Sequence, residues 1–415
     1  MKKRGVCVLK RTVQALAGIL DIIIAVTFIF MFYLDRQLPD SFSVVAGEAI
    51  NLPYPIQLDS EQAIAVQKNV VAGNSFHAQV RLMGAIPVKS VEIKVVDRKL
   101  VRISGAPFGI KMFTDGLMVV GMSDVAGDGV RTNPAKEAGM RVGDIVERIN
   151  GVVLRSNEQL GGMVEQSEGA PMRLAVRRGK DRLDITVPPV RSVGDGKYRL
   201  GIWVRDSSAG IGTMTYYDPN SGIFTGLGHA VCDIDTGDIM PLQSGEIVEA
   251  EITGCKIGKA GAPGELKGRF NGRGNLGELV GNTTSGVFGY LNGSIYLGRE
   301  VTIALASEVK IGEATIFTTV EGREPQEYTA LIEKTEVHEN GRGQNMVIRV
   351  TDPRLLEKTG GIVQGMSGSP IIQNNMLVGS VTHVFVNDPE RGFGIFAENI
   401  DNTSKSLSNA VEPAA

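Results

Sequence analysis

Histidine is scarce in this chain: His77, His229, His338 and His383 are the only four in 415 residues. Cysteine is scarcer, with Cys7, Cys232 and Cys255. Three cysteines exclude a disulfide framework, and Cys232 with Cys255 can form at most one bridge, in a domain outside the cytoplasm. A metal site on His229, Cys232 and Cys255 would have only three ligands at unhelpful spacing, so no metal or cofactor is expected. The formal charge of −3 gives no electrostatic case for nucleic acid. Long helical periodicity is scarce after the N-terminus. What is abundant is glycine, 52 residues, in a chain that is 42% hydrophobic and 21% charged. That is the composition of a folded, mainly β, turn-rich protein of two or three domains.

The one long apolar run is Val13 to Leu34, 22 residues whose only charge is Asp21. Thirteen of them are Leu, Ile, Val or Phe. On the insertion scale these contribute roughly −4 to −8 kcal/mol against about 3 for the aspartate, so insertion wins. Lys2, Lys3, Arg4, Lys10 and Arg11 precede the run and hold that end in the cytoplasm, with everything after Leu34 outside it. A cleaved signal peptide is the alternative, since the unbroken part, Ile22 to Leu34, is 13 residues. Such cores run about 7 to 15 residues. No small-x-small cleavage site follows, because LDRQLPD comes next. Residues 1–40 are therefore read as a cytoplasmic tail and an uncleaved signal-anchor helix.

Residues 41–104 read as a tether and a β-rich linking segment. Ser41 to Leu58 is extended and Pro-punctuated (NLPYPIQL). Residues 60 to 105 alternate apolar and polar positions, with Lys89-Ser90 as the expected start of one strand. A module at 105–190 carries NPAKEAGMRVGDIVERINGVVL. Pro134 opens a short helix at its first position and Gly139 stops it. Val142 to Ile149 is the expected strand, Asn150-Gly151 the hairpin turn, and Asn157 the cap of a second helix. This order resembles the PDZ domains of exported bacterial proteases. PDZ domains take extended peptides by strand addition, with a terminal carboxylate on loop amides. The resemblance puts that loop at Phe108, Gly109 and Ile110.

Residues 195–405 are a run of short β segments with Gly, Pro and Asn punctuation, at the spacing of a pair of small barrels. Two stretches carry chemistry. His229 follows glycine in GLGHAVCD at the end of an apolar strand, where a rigid element can hand a base to a cleft. Ser367 sits in GMSGSP, where glycines fold the backbone sharply and turn the Gly365 and Ser367 amides toward a developing oxyanion. GMSGSP followed by LVGSVTHV looks like the nucleophile loop of chymotrypsin-like serine proteases, whose next strand lines the substrate pocket. Val381, Thr382 and His383 occupy that stretch. The acid is open on spacing alone. Asp352 ends a strand in VTDP, and Asp233, Asp235, Asp238 and Glu246 compete with it.

With the N-terminal anchor, MGAIPVKSVEI, the PDZ module, GLGHAVCD, VTDP and QGMSGSP, nearly the whole chain resembles the PDZ-containing signalling serine peptidases of endospore-forming bacteria. The resemblance implies a His–Asp–Ser triad at His229, Asp352 and Ser367, with Asp352 resting on the family alone. It implies a chymotrypsin-like double β-barrel in the forespore membrane, facing the intermembrane space. It further implies a peptidase that cleaves itself and a component of the membrane-embedded sigma-K processing complex, with the PDZ domain controlling both steps. The competing expectation is a membrane-tethered PDZ adaptor with a dead protease-like fold.

Overall fold

In a computed structural model, the chain is described at residues 2–38, 40–48, 56–58, 73–292, 295, 297–336 and 344–411. His338 and the NLPYP part of the expected tether lie outside the described residues. Two compact units form, one from residues 1–99 with 305–308 and 336–339, the other from 100–304, 309–335 and 340–415.

The first unit opens on the helix Lys2–Gln37. Its stretch Leu16–Arg36 has mean hydropathy 2.3 and buries nothing inside the protein, as suits a segment that meets lipid or precedes a cleavage. A four-stranded sheet follows, made by Ser41–Val45, Ile56–Leu58, Ser75–Leu82 and Ile86–Val96, with the first strand parallel to the last. Its alternating apolar face, Ala78, Val80, Val91, Ile93 and Val95, forms the core. Lys89 and Ser90 lie inside the last strand rather than at its start. The strand begins at Ile86, because the turn that precedes it uses Met83 and Gly84, both with positive φ.

The second unit contains two closed six-stranded barrels. In the first, Pro107–Met122 pairs with Ile202–Tyr217 and with Leu242–Lys256. The ring closes through Ile223–Gly226, Gly286–Leu291 and Glu265–Thr283. Phe108, Ile110, Met112, Met214, Phe224 and Ile247 fill it. In the second, Gly312–Thr318, Gln326–Thr335, Met346–Val350, Asp388–Phe396, Met376–Phe385 and Pro370–Gln373 close in that order. Alternation along each strand puts Ile316, Ile332, Ile348, Ile371 and Val381 in the buried set. This is the chymotrypsin-like double barrel expected from the sequence.

The PDZ module is inserted into the first barrel rather than standing before it. Pro107–Met122 and Ile202–Tyr217 flank the module in sequence and pair along most of their length, from Pro107↔Thr213 to Met122↔Ile202. Their far ends, with Ile145–Ile149, Met172–Arg178 and Asp181–Val187, surround the PDZ core of Leu117, Val119, Val146, Leu160, Leu174 and Leu200. The first barrel strand therefore lies upstream of a division at 190–195. Locally, Asn133 caps the helix Pro134–Glu137 by accepting from Lys136 N at 2.9 Å. The following strand is Ile145–Ile149, because Gly143, at φ +89°, still turns the chain. The second helix, Asn157–Gln166, is capped by Ser156 instead of Asn157: Ser156 Oγ accepts from Gln159 N at 3.2 Å.

Candidate active site

His229 is delivered by an unusual turn. The strand Ile223–Gly226 ends, and Leu227 and Gly228 both take left-handed φ, 65° and 66°. Leucine pays for that conformation, and such strain persists only where surrounding structure imposes it. Here Leu227 N donates to Thr213 O at 3.2 Å, and a Cβ on Gly228 would lie 3.1 Å from both Ser380 Oγ and Thr382 Cγ2. The imidazole that follows is partly buried, with Nδ1 2.8 Å from Ala230 O. A carbonyl only accepts, so Nδ1 carries the proton and Nε2 is left as the base. Burial holds the His229 pKa below its ordinary value of 6.5, which keeps the ring neutral. The His383 ring lies against it, centroids 4.6 Å apart, and keeps an exposed edge. Its own pKa is also pulled down, first by desolvation and then by the His229 charge.

The serine loop reads through its backbone. Gln364 N, Met366 N, Gly368 N and Ser369 N donate to Gly264 O, Val363 O, Val381 O and Met366 O, at 2.9, 3.1, 2.8 and 3.0 Å. The Gly365 and Ser367 amides have no protein acceptor among the described residues. Gly365, at φ +97°, provides the sharp bend. Two free N–H groups two residues apart, one of them the serine's own, are the donors an acyl-transfer oxyanion needs. Ser367 is partly buried and its Oγ donates to Thr382 O at 2.6 Å.

Thr382 joins the two halves of the site. Its carbonyl holds Ser367, and the next residue, His383, lies against His229. Thr213 on the first barrel adds a second link, with its N–H on Ser367 O at 3.0 Å and its Oγ1 on Gly365 O at 2.8 Å. The fit is tightest at Gly368, where a Cβ would fall 1.8 Å from Thr213 O and 2.6 Å from Leu227 N at φ +100°. Gly368→Ala is therefore expected to cost roughly 3 kcal/mol or more, from overpacking plus backbone strain, and to abolish turnover. Denaturant unfolding and a peptidase assay on the same preparation check this; unchanged stability would contradict the packing.

Asp352 is not brought to this pair. It caps the helix Pro353–Thr359, accepting from Arg354 N at 2.9 Å, and Thr329 N also donates to it at 3.2 Å. The Arg354 guanidinium takes both carboxylate oxygens at 3.0 and 2.8 Å, and lowers the Asp352 pKa to about 2. A proline after an aspartate marks a helix start as readily as a strand end. Among the competitors, Arg205 holds Asp233 and Asp235, and the hydrogen bond of the His229 ring goes to Ala230 O rather than to a carboxylate. Cys232 and Cys255 are free thiols.

Phe108, Gly109 and Ile110 are not a loop. They sit in the barrel strand Pro107–Met122, with Phe108 fully buried against the Phe224 ring at 5.9 Å. In the PDZ module a groove runs between the helix Asn157–Gln166 and the strand start Ile202–Val204, lined by Leu160, Gly161, Val164 and Trp203. At its end Gly201 has φ +80°, and the Leu200 and Gly201 amides have no protein acceptor among the described residues. Leu200-Gly201-Ile202, like Phe108-Gly109-Ile110, is a glycine between apolar residues.

Residues 196–400 match the family SpoIVB peptidase S55, and residues 129–178 match the PDZ domain family. No curated protein matches the chain. Among solved structures it is similar to the PDZ domain of the SdrC-like protein of Listeria monocytogenes, at 19% identity over 22% of this chain and 87% of that one, TM-score 0.18. It is also similar to the Rv3671c protease of M. tuberculosis in its inactive form, at 14% identity over 48% and 84%, TM-score 0.29. The HtrA-type protease AlgW with a decapeptide follows at 11% over 49% and 55%, TM-score 0.30. Likenesses this faint carry no weight beside the family matches and the two closed barrels. The chain is a SpoIVB-like, PDZ-containing serine peptidase.

Proposed function

We propose that this peptidase attacks peptide bonds with Ser367, uses His229 as general base, and stabilises the oxyanion on the Gly365 and Ser367 amides. The observation that carries the reading is the pair of unpaired amides, Gly365's and the serine's own, at a serine whose acceptor, Thr382, adjoins the residue whose ring lies against His229. In the resting geometry the Ser367 proton rests on a carbonyl that cannot accept it. Attack needs the hydroxyl to rotate to His229 Nε2, as such contacts often tighten only with substrate bound. Ala230 O then does the orienting that a carboxylate does in a triad, without the charge.

By the family resemblance, the substrates are the chain itself and a component of a membrane complex whose cleavage activates sigma-K during sporulation. The basic N-terminus before the apolar helix supports an anchor with the catalytic domains outside the cytoplasm, and the resemblance supports the forespore membrane. The PDZ groove suits a peptide added beside Ile202–Val204, its terminal carboxylate on the Leu200 and Gly201 amides. The strand that would receive this peptide continues to Thr213, which holds the serine loop, so target binding has a direct physical route to the nucleophile.

N-terminal sequencing of purified wild type beside Ser367→Ala tests the proposal. Fragments confined to the wild type, cut in an extended segment, are expected. Identical fragments in both would show an outside protease and sink self-cleavage.

A further inference from the structure

The structure assigns Ser369, the second serine of GMSGSP, as a positioning residue that aims the Ser367 amide into the oxyanion hole; this rests on the reading of Ser367 as nucleophile. A peptide unit is planar and trans, so its C=O and N–H point in opposite directions. The Ser367 N–H therefore takes its direction from the Met366 carbonyl. That carbonyl receives two donors, both from residue 369: Ser369 N at 3.0 Å and Ser369 Oγ at 2.6 Å. With both lone pairs occupied, the Met366–Ser367 plane is pinned at one edge and the N–H at the other edge is left free.

The hydroxyl is built in. Ser369 is 0% exposed, and its Oγ lies 2.8 Å from Thr318 Oγ1, also 0% exposed. The Ser369 hydroxyl has both the Met366 carbonyl, at 2.6 Å, and Thr318 Oγ1, at 2.8 Å, as acceptors for its one hydrogen, the carbonyl being the nearer. The second barrel, through Thr318 at the end of Gly312–Thr318, thus fixes the rotamer of the residue that fixes the amide. The other oxyanion amide is aimed in the same way from a different element. Gln364 O, opposite Gly365 N–H, accepts from Leu266 N at 2.8 Å. Gly365 relies on a backbone donor, whereas Ser367 relies on a side chain. Only the second can be removed by substitution without touching the loop's backbone.

The test is Ser369→Ala, assayed for peptide turnover and for covalent labelling of Ser367 by an organophosphonate. Losing one oxyanion donor costs about 10²- to 10³-fold, and a misaimed donor costs less. The expected result is kcat down roughly 10- to 100-fold with KM within about twofold, and labelling slowed by the same factor. A merely structural role would lower the fraction of labelled enzyme without slowing the folded remainder. If the orphaned Thr318 hydroxyl prevents folding, Ser369→Ala/Thr318→Val removes both hydroxyls, and its folded fraction is expected to show the same slow labelling. Labelling at the wild-type rate in the folded fraction of either variant overturns the assignment. A wild type that takes no label on Ser367 overturns the nucleophile itself, and the assignment with it.

Discussion

Ser367→Ala is expected to lower kcat by about 10⁶-fold while leaving the folded protein essentially as stable as the wild type. The magnitude follows from the behaviour of serine–histidine machinery, where removing the nucleophile costs about as much as removing the whole catalytic set. Stability should be nearly untouched, because the substitution removes one hydrogen bond, Ser367 Oγ to Thr382 O, at a partly buried site. Such a bond is worth about 1 kcal/mol. Alanine also suits the local backbone, since the strained φ values of the loop belong to Gly365 and Gly368. Residual catalysis over water would come from the two amides, which the substitution leaves in place. The measurement is single-turnover cleavage beside a thermal melt. Wild-type turnover in the variant would remove Ser367 from the mechanism, and an adaptor without chemistry would show no turnover in either protein.

The sequence made the local devices legible and hid the long-range ones. Asn150-Gly151 was readable as a hairpin tip because tight turns demand left-handed φ, and both residues have it, φ 50° and 84°. Both barrels could be anticipated from alternation and glycine spacing. The insertion of the PDZ module could not. Pro107–Met122 and Ile202–Tyr217 look like separate strands of separate domains, and only their shared register reveals one ladder serving both. The same ambiguity hid the fate of one segment: Phe-Gly-Ile and Leu-Gly-Ile are alike in sequence, but the first is consumed by barrel pairing. Ser367 and His229 stood out as candidates because glycines lie beside them, Gly228 before His229 and Gly365 and Gly368 around Ser367. The hydrogen bonds that Thr213, Thr382 and Ser369 make within the serine loop were not legible, because they run to or from backbone carbonyls, and nothing in a lone threonine or serine advertises that.

The second large effect separates His229 from Asp352. His229→Ala should reduce kcat by about 10⁶-fold, matching the serine variant, since a serine without its base is inert. In the wild type, the acid limb of kcat/KM should lie below the ordinary histidine pKa of 6.5, because burial depresses the His229 value and the base form survives to lower pH. His383 adds a second positive charge on protonation, so the limb belongs to the stacked pair. Asp352 should behave otherwise. Asp352→Asn keeps an N-cap oxygen and loses the pairing to Arg354, an arginine that is 64% exposed and well screened. Turnover within a few-fold of wild type is expected, with a stability loss below about 1 kcal/mol. Asp352→Ala also loses the cap, for about 1 kcal/mol more. With its pKa at about 2 in the folded state against 3.8, Asp352 contributes its stabilisation above pH 3.8 and loses it as pH falls through about 2. The contrary outcome is equally definite. A drop of about 10⁴ in kcat for Asp352→Asn, with the melt unchanged, is what a triad acid would give. That result would require the helix Pro353–Thr359 to release its cap and deliver the carboxylate to His229 during turnover.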